Sequence, residues 1–288
     1  MKVAITGGSG FIGSTLISEL LNRGHDVINL DINDSPLVQT IQCDVRNKTE
    51  VEKALQSVEA VYHLAGLVDG TARKNVVKSY ELQILGTLNV LESCIQNDIG
   101  WFGLASTFLI YQAAVGNPPL NEDSVIDITK LHAFTGAKLA SELLVRNFAE
   151  ANQLKYAILR FGSVYGVGAA SNVLGNFIDC LNANEPLVVW GHGKRRNQFT
   201  FVEDIAHGCI AALNGQSGTY NLVSPELTSV QEVTKIFEKE YAANTTFHYD
   251  KPERPEIEYI SSDKAIDELA WIPSPLNEGI SKTVSGNM

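Results

Sequence analysis

The chain has 288 residues, 44% of them hydrophobic, enough for one large α/β domain or for a core domain with a smaller lobe. Its 22 Lys plus Arg stand against 33 Asp plus Glu, a formal net charge of −11, which argues against nucleic-acid and anionic-membrane partners and leaves any anionic ligand to local cations. No apolar run approaches a bilayer span, and Cys43, Cys94, Cys180 and Cys209 form neither a metal-ligand nor a disulfide pattern, so buried free thiols, no metal and a cytoplasmic location are expected.

The first expected strand, "KVAIT" (2–6), runs straight into a glycine turn and lacks a signal peptide's basic start and cleavage site. In "ITGGSGFIGSTLISELLNRGHDVINLD" (5–31), Gly7, Gly10 and Gly13 follow that strand and open a helix expected over about 12–23. Glycine permits the positive φ of a tight turn, close approach to a pyrophosphate and close helix–strand packing. The helix N-terminus adds N–H groups and a partial positive charge for phosphates. Asp31 ends the next strand, "DVINL" (26–30), about 20 residues on, where a carboxylate accepts from ribose hydroxyls and repels a 2′-phosphate. The motif therefore points to NAD rather than NADP.

Further strands are expected at "AVYHLA" (60–65), "WFGLAS" (101–106) and "YAILRF" (156–161), with helices at about 48–57, 78–97 and 131–152. This alternation predicts an α/β fold with a doubly wound parallel sheet. After residue 165 the regularity weakens. "GTYNLV" (218–223) returns as a further strand, and a closing segment with Pro252, Pro255, Pro273 and Pro275 is expected as a smaller lobe on the sheet's carboxyl edge. There is no repeat, low-complexity segment or linker. The expected division is a Rossmann domain over 1–165, with the strand near 218–223, interleaved with a mainly substrate-binding lobe over 166–288.

Several motifs in order resemble the extended short-chain dehydrogenase/reductase family, in its nucleotide-sugar epimerase and dehydratase group, over nearly the whole chain. "TGGSGFIG", with Phe11 and Ile12 before its last glycine, is similar to the family's cofactor turn. "CDVRN" (43–47) resembles its adenine-contacting segment, with Asp44 and Val45 at the contacting positions. "VYHLAG" (61–66) resembles its fourth-strand motif, whose end, here Leu64, Ala65 and Gly66, lines the cofactor. "LRFGSVYGVG" (159–168), "FTFVEDIAHG" (199–208) and "DELAWIPSPLNEGI" (267–280) resemble its later motifs.

The family's chemistry implies a tyrosine and a lysine four apart on a helix, plus a threonine or serine near the preceding strand. A hydroxyl proton must leave as its carbon is oxidised, so a base has to stand within reach. A phenol with an ordinary pKa of about 10 serves once a nearby ammonium stabilises its phenolate. Thr107 falls on the hydroxyl position and Lys138 on the lysine in "HAFTGAKLASE" (132–142). The tyrosine's position is held by Phe134. An introduced tyrosine replacement, a different proton carrier, or a chain that binds without redox chemistry each fit. Tyr111, His132 and His63 are the titratable alternatives; His132, two residues from Phe134, is expected on another helix face, and Tyr111 as a structural residue of its loop.

Phe108 and Leu109 stand where the family's 4,6-dehydratases carry an acid after the threonine, which disfavours dehydration. Gln83 replaces an asparagine before "LGT" (85–87), and Ser163 stands where an asparagine commonly touches substrate. Lys194, Arg195 and Arg196 form a basic cluster that suits a diphosphate or is a solvated turn. Asn197 occupies the family's usual phosphate-binding arginine, leaving Arg196 as a neighbour; Arg254 matches the later arginine. Leu85, Leu88, Val90, Leu91, Leu139, Leu143 and Leu144 cover the sheet or form the homodimer interface that the resemblance implies. The expected activity is NAD-dependent epimerisation of a nucleotide sugar, limited by Phe134, with a keto-sugar reductase or a non-catalytic binding protein as alternatives.

Overall fold

A computed structural model describes residues 1–169, 172–253 and 255–287. Val3, Ala4 and Ile5 are fully buried in β1 (Lys2–Thr6), since a central parallel strand is covered on both faces and has no wet side to alternate with. The chain turns through glycines into α1 (Phe11–Asn22), returns beside β1 as β2 (Asp26–Asp31), and adds an edge strand, β3 (Thr40–Gln42), absent from the sequence expectation. α2 (Lys48–Ala54) starts where the Asn47 side chain accepts from the Glu50 N–H, and leads to β4 (Ala60–His63) on the other side of β1.

The helix expected over 78–97 is present but irregular, and a short helix absent from the sequence expectation precedes it. α3 (Asp69–Lys74) ends at Asn75, whose backbone (φ −136°, ψ 76°) is not helical and whose side chain caps α4 (Val76–Tyr80) by accepting from the Lys78 N–H. A π-helical turn, Glu81–Leu85, then joins α4 to α5 (Gly86–Gln96). At this turn the Gln83 carbonyl accepts from the Thr87 hydroxyl at 2.6 Å and from the Ser141 hydroxyl.

β5 (Trp101–Thr107) is followed by a long loop, α6 (Ala133–Asn152) and β6 (Lys155–Phe161). Next come β7 (Ser163–Tyr165), α7 (Val173–Asn182), β8 (Leu187–Trp190), β9 (Arg196–Asn197), β10 (Phe199–Phe201) and α8 (Val202–Leu213). The expected returning strand is β11 (Gly218–Leu222), parallel to β6. β12 (Thr228–Ser229), α9 (Val230–Tyr241), β13 (Thr245–His248), α10 (Asp263–Leu269) and α11 (Leu276–Asn287) complete the described chain.

The main sheet has seven parallel strands in the order β11-β6-β5-β4-β1-β2-β3. One core, with Leu16, Ile17, Ile205, Cys209 and Trp271, lies under α1, α8 and α10; another, with Val51, Val90, Leu91 and Val145, lies under α2, α5 and α6. This is the doubly wound sheet expected from the alternating elements. A third core of residues from Tyr165 onward joins α7, α9 and α11. Among the described residues no helix is long and apolar enough to cross a membrane. The thiols of Cys43, Cys94 and Cys209 are buried and that of Cys180 is half-buried.

The order in which successive strands are laid across the sheet reverses between β1 and β4, which leaves a crevice outside their carboxyl ends where open α/β sheets hold ligands. One polar cluster fixes α6 against that edge. The Arg160 guanidinium on β6 grips the Glu142 carboxylate on α6 with two hydrogen bonds, 3.0 and 2.7 Å, and both residues are at most 3% exposed. Ser106 on β5 donates to the same carboxylate, and Arg160 also donates to the Tyr111 hydroxyl at 2.7 Å. Removing one partner strands a buried charge. Glu142→Ala is therefore expected to lower stability by about 3–5 kcal/mol in urea unfolding with an unchanged slope; a loss below about 1 kcal/mol would refute this arrangement.

Candidate active site

The glycine turn and the end of β4 are in backbone contact at the crevice. Gly7 has φ +73°, and a Cβ built there would lie 2.7 Å from the Ala65 nitrogen; the Ala65 N–H itself donates to the Thr6 hydroxyl at 3.2 Å. A Cβ on Gly13 would lie 2.6 Å from Gly8 Cα, so α1 is packed directly on the turn. Gly10 caps α1 without a side-chain hydrogen bond, and no acidic residue stands in the helix's first turn. The end carrying Phe11 and Ile12 therefore keeps its positive character for an anion.

Asp31 closes β2 beside this turn and is buried. Its Oδ2 accepts from the Ser9 N–H at 3.1 Å and its Oδ1 from the Asn33 N–H at 3.0 Å. Ser9, missed at the level of sequence, also receives the Asn29 amide and donates to the Asn33 carbonyl; its signal is a small hydroxyl residue between two of the motif's glycines. Val45 is buried and its carbonyl accepts from Asn89. Asp44 is engaged by Arg46 at 2.6 and 3.0 Å, which holds its carboxyl below the usual carboxylate range.

Thr107 is the last residue of β5, and its Oγ1 accepts from the Leu109 N–H at 3.2 Å, which leaves its own proton to donate. Phe134 and Lys138, one turn apart on α6, are both buried. The Lys138 ammonium donates to the Ala105 carbonyl at 2.7 Å, two residues before Thr107. It also faces the end of β4, since a Cβ on Gly66 would lie 3.7 Å from Nζ and 3.7 Å from Gln83 Cγ. Burial pushes this ammonium down to about 8, against the upward pull of Glu142. Thr107, Lys138, Gly66 and the glycine turn are thus gathered at one crevice, with a hydrocarbon ring at position 134.

The three titratable alternatives sit differently. His63 is held between the Thr6 hydroxyl (2.7 Å) and the Thr87 hydroxyl (3.1 Å), and burial together with the Lys138 charge pushes its pKa down to about 3. The Tyr111 hydroxyl donates to Asn221 and accepts from Arg160, and burial pushes it up to about 12. His132 corrects the sequence expectation. It precedes α6 in an extended conformation (φ −100°, ψ 175°), so helical spacing does not apply, and its ring stacks beside Phe134 at 6.5 Å and 14°. Its Nε2 lies 2.7 Å from the Arg73 guanidinium, which is paired with Asp69; burial and that cation lower its pKa. α3 supplies both partners, and the sequence offered no sign of that helix.

In the basic cluster the Arg196 guanidinium is paired with a carboxylate, and a second carboxylate gathers the backbone of the turn. Glu253 accepts from the backbone N–H groups of His192, Lys194 and Arg195, and Arg196 is paired with Glu256 at 2.5 Å. Ser163 opens β7, paired with β10, and Asn197 is buried. Arg254 lies outside the described residues.

The model of the NAD dependent epimerase/dehydratase family matches residues 3–222. A Methanocaldococcus jannaschii protein assigned by inference as a UDP-glucose 4-epimerase is 31% identical over 301 residues, covering 98% of this chain and 97% of the relative. UDP-glucuronic acid 4-epimerase from Bacillus cereus, solved with UDP-glucuronic acid and NAD, is 25% identical with a TM-score of 0.85, covering 99% of this chain and 98% of its own. UDP-glucose 4-epimerase from Thermus thermophilus, solved with NAD, is 26% identical with a TM-score of 0.82 over the same shares.

The His63 geometry has a direct readout. Its pKa of about 3 keeps the ring neutral through the mild acid range, so its Cε1–H resonance is expected to hold still from pH 8 to about pH 4.5. Titration near the ordinary histidine value of about 6.5 would contradict the described packing.

Proposed function

This chain belongs to the NAD-dependent epimerase/dehydratase family, and on that premise we propose that it is a UDP-sugar 4-epimerase-type enzyme. The observation that carries the reading is the buried Lys138 ammonium, hydrogen-bonded to β5 two residues before Thr107 and facing Gly66 beside the glycine turn. The residues present fit NAD. A side chain on Gly7 or Gly13 would fill the turn, and α1 keeps its N-terminal charge uncompensated by any side-chain cap. Asp31 would accept from a ribose hydroxyl. Phe11, Ile12, Asp44, Val45, Leu64, Ala65 and Gly66 would line the rest. When bound, NAD would supply a reversible two-electron oxidant.

The protein's part is to hold the sugar and move a proton. Thr107 donates to the reacting sugar oxygen, fixing the carbon that is oxidised. Lys138, anchored on the Ala105 carbonyl, keeps N–H groups for the nicotinamide ribose. An epimerase must release the keto-sugar's other face for re-reduction, so the substrate is held by its diphosphate rather than by its ring. Ser163, Arg196 and Arg254 are the proposed contacts, and Arg196 would exchange Glu256 for a phosphate. Residues 1–165 with β11 would form the NAD-binding half and most of 166–288 the substrate half of a cytoplasmic enzyme.

Phe134 keeps the ring's packing and removes the proton-transfer group. Phe134→Tyr is expected to raise the rate of UDP-glucose to UDP-galactose conversion by ~10²–10⁴ at neutral pH, the range for a general acid/base. Equal rates would assign proton transfer wholly elsewhere.

A homodimer is part of the same proposal. Val90 and Leu91 cover the sheet, whereas Leu85 (42% exposed) and Leu143 (58%) face outward beside the exposed Val76, Val77 and Tyr80. That patch, spanning α4, the π turn and α6, suits a self-complementary helix pair. Leu143→Glu is expected to halve the mass in sedimentation velocity; an unchanged mass would count against this interface.

A further inference from the structure

The titratable alternatives to residue 134 are engaged by neighbouring groups, although His132 Nδ1 has no hydrogen-bond partner among the described residues. Both His63 nitrogens are held by threonine hydroxyls, the Tyr111 hydroxyl is held by Arg160 and Asn221, and His132 faces a guanidinium that opposes a second positive charge. Lys138 differs. Among the described residues one of its three N–H groups meets a protein acceptor, the Ala105 carbonyl. Across the bare Cα of Gly66 stands the Gln83 side chain, 1% exposed. Its amide nitrogen donates to Ser79 at 3.0 Å, and its Oε1 is buried without a protein partner among the described residues. The Lys138 ammonium, with spare donors, and the Gln83 side chain, with an unpaired acceptor, thus meet at Gly66, and a bridging water would satisfy both.

Resting on the redox reaction proposed above, we propose that Lys138 is the proton carrier of this chain, working through a water held between its Nζ and Gln83 Oε1. On oxidation the sugar O–H bond breaks and its proton passes through the water to the lone pair of the neutral amine, giving the ammonium. The C–O bond becomes C=O, and the carbon's hydrogen leaves with two electrons to NAD, the oxidant. On re-reduction the ammonium returns the proton to the oxygen, so Lys138 ends the turnover as it began.

Burial supports this role by bringing the lysine to about 8, where both of its forms are populated near neutral pH. The charged or titratable groups facing it are Glu142 on its own helix and His63 on β4. β5 presents the Ala105 carbonyl and the Thr107 hydroxyl, the π turn presents Gln83 and the loop after β4 presents Gly66; these do not titrate in this range.

The test uses the full chain labelled with ¹³C-lysine, with Lys138→Met to assign the resonance, beside the pH dependence of UDP-glucose turnover. Lys138 should titrate near 8 in the free protein, and turnover should rise about tenfold per pH unit below that midpoint and level above it. Gln83→Glu sets a carboxylate beside the ammonium and should move both the resonance midpoint and the rate profile to higher pH together. Phe134→Tyr should uncouple the rate profile from the lysine resonance. A lysine midpoint near the ordinary value of about 10.4, or turnover flat from pH 6.5 to 9, would overturn the proposal. So would a Gln83→Glu rate profile that stays in place while the resonance moves. If Phe134→Tyr retains NAD yet forms neither NADH nor product, the epimerase reading itself fails and this inference falls with it.

Discussion

The position of Lys138 and Phe134 at the crevice depends on the buried pair between Arg160 and Glu142. It joins β6 to α6 and is completed by Ser106 on β5 and the Tyr111 hydroxyl, so few of its bonding positions are left open. Two desolvated charges contribute little net stability, and their value lies in allowing one register only. Glu142 is one turn beyond Lys138 and two beyond Phe134. Ser106 is the strand neighbour of Thr107, and successive strand residues point to opposite faces. A slip of α6 by one residue would leave the carboxylate unpaired and withdraw Lys138 from Ala105. The same contact that holds the helix thus aims the lysine.

An acidic chain that is to hold a dinucleotide diphosphate meets a problem of sign. The cations most visible in sequence do not solve it by themselves, because Glu253 gathers the backbone of 192–195 and Glu256 takes Arg196. The uncompensated end of α1 is the other source of positive potential, and there the field comes from backbone rather than from side chains. Arg46 meanwhile neutralises Asp44, removing a negative charge from the segment after β3. Local dipoles and selective pairing therefore act against the net charge of −11.

Local physics made much of this legible. Gly7, Gly10 and Gly13 could be read because one backbone turn needs all three, and the fold class followed from the alternation of apolar runs with amphipathic stretches. Helical spacing placed Phe134 above Lys138 correctly, since both lie within regular helix. The same rule failed for His132, which lies one residue outside it. The π turn and α3 were hidden because tertiary partners, not a 3.6-residue pattern, hold them. Leu85 could not be told from Leu91 by sequence, as apolar residues on a helix do not say whether the surface they meet is their own sheet or a second chain.

In the proposed reaction, phenylalanine at position 134 lacks a proton-transfer group that a tyrosine would supply, while Phe134 itself is buried beside its neighbours. Losing such a group costs about 3–5 kcal/mol of barrier, yet Lys138 remains buried, which is itself unfavourable for an ammonium. A helix that only had to pack against β5 would gain by an apolar residue there, without the desolvation of a charge. Gln83 sharpens the point. A buried amide oxygen without a protein partner is a further local cost, and it stands on the one segment where the helix departs from its regular spacing. Two unfavourable features on either side of Gly66 are hard to account for as packing. They make sense together if the space between them is where a proton waits while the sugar is a ketone.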